Sequence, residues 1–298
     1  MERPSMLRRP MLAGSASLAL LIALLGAPLA AANTLVFTAI PDEDETRLQQ
    51  RFQAVADYLA DELEIEVRFI PVTSYAASVT AFRNNQVQLA WFGGFTGVQA
   101  RERVPGSRAI AQGVEDPEYK SYFIANHQSG LEPHSGDTAP EGLRGLTFSF
   151  GSQSSTSGRL LPEYFLREHL GSSPDELFAR VGFSGNHSRT ISVVQSGAYQ
   201  AGVVSYKAWE NELEAGTIDL ERVQVIWESP PYPDYQWTVR GDVDERFGEG
   251  FTERLQQALL DMDDPELLAS FPRSGFIPAT NDDYREILDV ARQLELLD

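Results

Sequence analysis

The chain has 298 residues, with 43 Asp and Glu against 24 Lys and Arg, a formal net charge of −19 and no cysteine. That balance excludes nucleic acid as a partner, since a phosphate backbone is held by clustered cations; the missing thiols exclude disulfides, thiol catalysis and a lipid-modified N-terminal cysteine. A small anion is not excluded, because at 1 M salt the Debye length is only about 3 Å and local donors decide binding.

Residues 1–32 open with Arg3, Arg8 and Arg9, run through an apolar stretch from Met11 to Leu25 and end in Ala30, Ala31 and Ala32. This is the pattern of a cleavable secretory signal, so a soluble periplasmic protein starting at Asn33 is expected. The rest alternates short apolar runs with amphipathic ones. Leu35 to Ile40 reads as a strand, Asp44 to Leu63 as a helix, Glu66 to Ile70 as a strand, Ser74 to Asn84 as a helix and Gln88 to Phe92 as a buried strand. That is the βαβ rhythm of a parallel sheet. Asp42, Glu43, Asp44 and Glu45 fall at the first helix start, where they are expected to favour the helix N-terminus and stay solvated.

Arg108 to Gln112 and Tyr119 to Ala125 read as further strands, before a loop from Asn126 to Gly142 rich in Gly, Pro, His and Ser. A second α/β unit follows, with strands at Thr147 to Phe150, Arg180 to Phe183, Gln200 to Ser205 and Val223 to Glu228, and helices from Thr156, His187 and Lys207. One more strand, Gln236 to Arg240, precedes helices over Asp244 to Met262 and Asp282 to Leu296. The predicted fold is α/β in two lobes hinged about a cleft: lobe 1 from 33–122 and 233–298, lobe 2 from 123–232, with crossings near Tyr119 to Asn126 and Glu228 to Tyr235. Ligands of open α/β sheets lie beyond the carboxyl ends of strands, so the strand-to-helix junctions are expected to face the cleft.

One junction stands out. Ser152, Gln153, Ser154, Ser155, Thr156, Ser157 and Gly158 lie between an alternating strand and an amphipathic helix. A helix N-terminus offers unpaired N–H groups and partial positive charge, and the hydroxyls add neutral donors. One Ser or Thr is enough to cap a helix; four consecutive hydroxyl residues ending in Gly point to an anion cradle.

Four segments then carry a family resemblance: Pro71-Val72-Thr73-Ser74-Tyr75; Leu89-Ala90-Trp91-Phe92-Gly93-Gly94; Ser154-Ser155-Thr156-Ser157-Gly158 with Pro162; and Ser184-Gly185-Asn186-His187. Each is short, but in this order they resemble the phosphate, phosphite and phosphonate-binding proteins of ABC importers over nearly the whole mature chain. The tract from Trp91 to Arg101 is most similar to the branch labelled as putative selenate-binding proteins. The resemblance implies the two-lobed periplasmic-binding (type II) fold, a monomer, and delivery of a small oxyanion to a membrane permease and its ATPase. It also implies that Tyr75 and His187 donate to the ligand beside Ser155, Thr156 and Ser157.

Trp91, Phe92 and Gly93 are candidates for walling the cleft, with ordinary core packing as the alternative for both aromatics. Ser205 and Tyr206 end an apolar strand and are candidates from lobe 2; Asp234 and Tyr235 are candidates from the Pro-rich crossing. His127, His134 and His169 lack such context, and no metal-ligand spacing or cofactor motif appears. No enzyme is expected: the cradle lacks a P-loop lysine, no G-x-S-x-G elbow occurs, and a Ser157–His187 hydrolase has no orienting carboxylate. The other reading is a periplasmic sensor of the same fold working with a receptor kinase. The anion is left open among phosphate, phosphite, phosphonate, selenate, sulfate and arsenite.

Overall fold

The structure, a computed structural model, describes residues 34–43 and 45–297. The signal reading of residues 1–32 and the expected start at Asn33 lie outside the described residues. In chain order the strands are β1 (Leu35–Ala39), β2 (Val67–Phe69), β3 (Leu89–Phe92), β4 (Arg108–Gly113), β5 (Ser121–Asn126), β6 (Thr147–Phe150), β7 (Arg180–Phe183), β8 (Ala201–Ser205), β9 (Val223–Glu228), β10 (Gln236–Val239) and β11 (Phe276–Pro278). The α-helices are α1 (Glu45–Leu63), α2 (Tyr75–Arg83), α3 (Gly94–Arg103), α4 (Leu161–Leu170), α5 (Pro174–Leu177), α6 (His187–Gln195), α7 (Tyr206–Glu214), α8 (Val243–Phe247), α9 (Phe251–Leu260), α10 (Pro265–Leu268) and α11 (Arg285–Gln293).

Two mixed sheets result. The first has the order β11-β4-β10-β3-β1-β2, with β1, β2 and β3 parallel and β10 running antiparallel between β3 and β4. The second has the order β7-β6-β8-β5-β9, with β6, β7 and β8 parallel and β5 antiparallel to both β8 and β9. The parallel expectation therefore holds for the βαβ segments, while the strand that follows each crossing, β5 and β10, runs the other way. Sheet 1 is buried through Phe37, Phe52, Phe69, Trp91, Trp237 and Phe271, a network of tilted, edge-on and stacked ring contacts. Each such side chain contributes on the order of 2–3 kcal/mol when removed from water. Helix α1 supplies Leu48, Phe52, Val55, Ala56, Leu59 and Leu63 at helical spacing to that core. Among the described residues no helix is long and apolar enough to cross a membrane.

Several elements differ from the sequence reading, and β11, α5 and α10 lie where no element was expected. Helix α3 was not expected, because Gly94, Phe95, Thr96, Gly97, Val98 and Ala100 are all buried, so no polar face marks its period. The helix expected over Asp244 to Met262 is broken into α8 and α9 by Gly248 and Gly250, whose φ values of 104° and 75° only glycine adopts freely. The helix expected from Thr156 begins as one π-helical stretch, Thr156–Leu160, before α4.

The two crossings between sheets are bonded to each other. Tyr119 N–H donates to Tyr232 C=O and Tyr232 N–H to Tyr119 C=O, each at 2.9 Å. Beside them Arg273 is paired with Asp116, Nη2 to Oδ1 at 2.7 Å and Nε to Oδ1 at 2.9 Å. The Arg273 guanidinium lies 5.0 Å from the Tyr235 ring centroid, 5.1 Å from Tyr119 and 6.0 Å from Trp91. Asp116 C=O in turn accepts from Asp234 N–H at 3.0 Å, so the buried pair fixes the chain where it re-enters sheet 1.

Candidate functional site

The parallel strands of both sheets end facing one cleft. From sheet 2, β6 leads into Ser152–Gly158, β7 into Ser184–His187, and β8 ends at Ser205. From sheet 1, β1 leads to Asp42, β2 to Tyr75, and β3 to Gly93, opposite Asp234 at the start of the antiparallel β10.

Within the cradle Ser155 is the N-cap, its Oγ accepting from Gly158 N–H at 2.9 Å, which leaves the hydroxyl hydrogen to donate elsewhere. Thr156 Oγ1 accepts from Phe95 N–H of the first lobe at 3.0 Å, and Ser154 C=O accepts from Thr96 Oγ1 at 2.9 Å. Ser157 C=O accepts from Ser121 Oγ at 2.8 Å; Ser121 Oγ also bonds Tyr232 Oη. All three cradle residues are buried. Gly93 is required where the lobes meet: a Cβ there would stand 3.1 Å from Asp234 Oδ1 and 3.2 Å from Thr156 Oγ1.

His187 is the first residue of α6, and its Nδ1 accepts from Ser205 N–H at 3.3 Å. That bond assigns the ring proton to Nε2, which is buried and has no partner. Burial alone pushes the imidazole down to about 4, so at neutral pH His187 is a neutral donor. Tyr75 Oη is likewise buried without a hydrogen-bond partner; burial, with Asp42 and Asp234 nearby, raises the phenol well above its ordinary value and keeps its proton. Asp234 accepts from Gly94 N–H through Oδ1 at 2.9 Å, while Oδ2 is buried and unpaired. Its carboxyl is pushed up to about 7 by burial, against the pull of Thr156, the Gly94 N–H and Ser157. Unpaired buried polar atoms cost on the order of 1–3 kcal/mol each. Tyr75 Oη, His187 Nε2 and Asp234 Oδ2 instead converge on the cradle, as neutral donors and a proton-sharing carboxyl around one small oxyanion would.

The other candidates are placed as follows. Ser205 Oγ caps α7 by accepting from Ala208 N–H at 3.1 Å, and its backbone orients His187. Tyr235 is buried and donates to Asp42 Oδ2 at 2.7 Å. Trp91 stacks on Tyr235 at 5.5 Å, with the Arg273 guanidinium also over its ring, and Phe92 packs edge-on to Phe82 at 5.6 Å. Tyr206 is half-buried, edge-on to Tyr119 at 4.8 Å on the hinge side.

The expectation of a solvated acidic run is corrected for Asp42 and Glu43. Glu43 is buried, and its carboxylate accepts from Asn211 Nδ2 at 2.9 Å and Arg51 Nη1 at 3.3 Å. Asp42 is pushed up to about 7 by burial and by Glu43 beside it, despite the Tyr235 hydroxyl. The reason is tertiary: the loop holding both lies under α6 and α7 of the other lobe. Sequence reasoning also missed Ser121 and Tyr232, for which no local signal exists. Among the described residues no group of three or more His, Asp or Glu side chains is arranged to hold a metal ion.

Comparison with known proteins places this geometry in context. Residues 37–284 match the family model described as ABC transporter, phosphonate, periplasmic substrate-binding protein. The chain is 40% identical over 261 residues to a probable ABC transporter phosphite-binding protein of Prochlorococcus marinus (strain MIT 9301), covering 86% of this chain and 88% of that one. A solved structure of PhnD1 from P. marinus MIT 9301 in complex with methylphosphonate superposes with a TM-score of 0.85 at 39% identity, covering 89% of this chain and 99% of that one. The phosphonates-binding periplasmic protein of Escherichia coli (strain K12) is 27% identical over 207 residues, 67% of this chain and 59% of that protein.

Proposed function

Because the chain belongs to the periplasmic phosphonate substrate-binding protein family of ABC transporters, we propose that its cleft captures a small phosphorus oxyanion, phosphite or a short phosphonate, and delivers it to a membrane permease and its ATPase. The observation that carries this reading is the convergence of Tyr75 Oη, His187 Nε2 and Asp234 Oδ2, all buried and unpaired, on the hydroxyls of Ser155, Thr156 and Ser157. Asp234 favours phosphorus over selenium or sulfur. A carboxyl that titrates near neutrality shares one proton with a phosphonate or phosphite oxygen, which gains its own proton in the same range, whereas selenate and sulfate bring none. The relatives' printed names, phosphite-binding and in complex with methylphosphonate, point the same way.

In this proposal residues 1–32 direct export, and the lobes, 33–122 with 233–298 and 123–232, close about the paired crossings at Tyr119 and Tyr232. Uptake lost on deletion of the gene, with transcriptional induction intact, separates transport from the sensor role. The binding test is calorimetric titration of phosphite, methylphosphonate, phosphate, sulfate and selenate into wild type, Thr156→Ala and Ser157→Ala. Hydrogen bonds to a charged ligand are worth about 1.5–3 kcal/mol, so each variant should lose about one to two decades of affinity; the denaturant midpoint should hardly move for Ser157→Ala and should fall for Thr156→Ala, which leaves the buried Phe95 N–H without its acceptor. Unchanged affinity of both variants for every anion refutes the site.

A further inference from the structure

The anion cradle is not the only place where the lobes touch. The loop Ile40–Glu43, between β1 and α1, crosses to lobe 2 and completes the start of helix α6. Asp42 C=O accepts from His187 N–H at 3.0 Å, and Glu43 C=O accepts from Asn186 Nδ2 at 3.2 Å. Asn186 serves both lobes, since its Oδ1 caps its own helix by accepting from Arg189 N–H at 2.9 Å while its Nδ2 reaches across. Farther along, Glu43 Oε1 accepts from Asn211 Nδ2 of α7 at 2.9 Å, and Arg51 of α1 holds Oε2 at 3.3 Å. Glu43 is only 6% exposed.

A buried carboxylate is costly unless paired, and here half of its pairing comes from the other lobe. The His187 N–H is one of the first amides of α6, which have no partner within the helix; its acceptor is supplied by lobe 1. The bonds that join the lobes on this side are therefore the same bonds that seat the residue whose Nε2 faces the cradle.

We propose that Glu43, with Asn186 and Asn211, forms a latch that sets how long the closed cleft retains its ligand, and that Glu43 is a positioning residue for His187 and makes no contact with the oxyanion. The proposal rests on the oxyanion reading of the cleft. A latch that forms after encounter slows dissociation and leaves association unchanged. It predicts that residues remote from the cradle, Asn211 above all, govern the off-rate.

The test is stopped-flow fluorescence with phosphite and methylphosphonate, on wild type, Asn211→Asp, Glu43→Gln and the double variant, with Trp91 beside Tyr235 as a reporter at the cleft. Asn211→Asp sets a second carboxylate against Glu43, and the off-rate should rise about ten- to hundredfold with the on-rate within about threefold. Adding Glu43→Gln restores a donor and acceptor pair in reverse, so the double variant should return to within about threefold of Glu43→Gln alone. A general loss of folding moves the denaturant midpoint and is not rescued in this way. An off-rate unmoved by Asn211→Asp, or raised and not restored in the double variant, overturns the latch. If wild type binds neither anion, the oxyanion reading fails, and the latch is then judged by hydrogen exchange at the His187 amide: faster exchange in Asn211→Asp supports it, equal exchange overturns it.

Discussion

Raising the pH from 7 to 8.5 should weaken ligand binding through Asp234, and the size of the effect follows from where its carboxyl sits. Burial moves that carboxyl from the ordinary 3.8 to about 7, with Oδ1 committed to Gly94 N–H and Oδ2 facing the cradle. A bound oxyanion and an ionised Asp234 would repel, so the complex holds one proton between Oδ2 and a ligand oxygen. Below about pH 7 that proton is already present. Above it one must be drawn from solution, which costs a factor of ten per pH unit, or about 2 kcal/mol and thirtyfold in affinity by pH 8.5. His187, pushed down to about 4, does not titrate in this window. Calorimetry with methylphosphonate in buffers of different ionisation enthalpy should count close to one proton taken up at pH 8.5. Asp234→Asn keeps an acceptor for Gly94 and removes the proton, and should flatten the slope; Asp42→Asn, run beside it, separates the other carboxyl raised to about 7. The variant also reports on folding. Because the folded value lies above the unfolded one, the stabilising contribution of Asp234 is complete below about pH 4 and lost as pH rises through 7, so Asp234→Asn should gain stability relative to wild type at pH 8 and not at pH 4, by up to about 4 kcal/mol. A variant that keeps the wild-type slope, or a wild type that takes up no proton, refutes the reasoning.

Two further outcomes are expected. Tyr75→Phe should lower affinity about ten- to hundredfold while leaving the denaturant midpoint unchanged or slightly raised, because the buried Tyr75 Oη has no protein hydrogen-bond partner of good geometry; titration and urea denaturation of the same sample check both halves. Asp116→Asn leaves Arg273 buried among Tyr119, Tyr235 and Trp91 without its carboxylate and should cost about 3–5 kcal/mol in urea denaturation, a loss that a mere surface ion pair would not produce.

The cradle was legible because its signal is local: an alternating strand, a run of hydroxyls and an amphipathic helix are adjacent in the chain, and His187 repeats the same strand-to-helix arrangement. Asp42 and Glu43 were not legible, since an acidic run before a helix has the same appearance whether solvated or buried under α6 and α7. The Asp116–Arg273 pair is 157 positions apart in sequence, with nothing near either residue to announce the other. Helix α3 was hidden for the opposite reason: Gly94 to Val98 and Ala100 are all buried, so its first turns show no period. The strands of both sheets except the edge strand β11 followed from strand patterns, but the antiparallel placement of β10 between β3 and β4 depends on a return crossing that periodicity does not encode.

That placement bears on how the protein is made. Strands β3 and β4 are next to each other in sequence yet never pair; the gap between them is filled by β10, which arrives only after about 120 residues that include all of sheet 2, so lobe 1 has high contact order. A nascent chain that has not reached Gln236 carries two facing, unpaired strand edges, the kind of surface that invites association with other chains. The second lobe is thus a detour within the folding of the first, and the step that seals the first sheet is the same step that lays Asp234 beside Gly93.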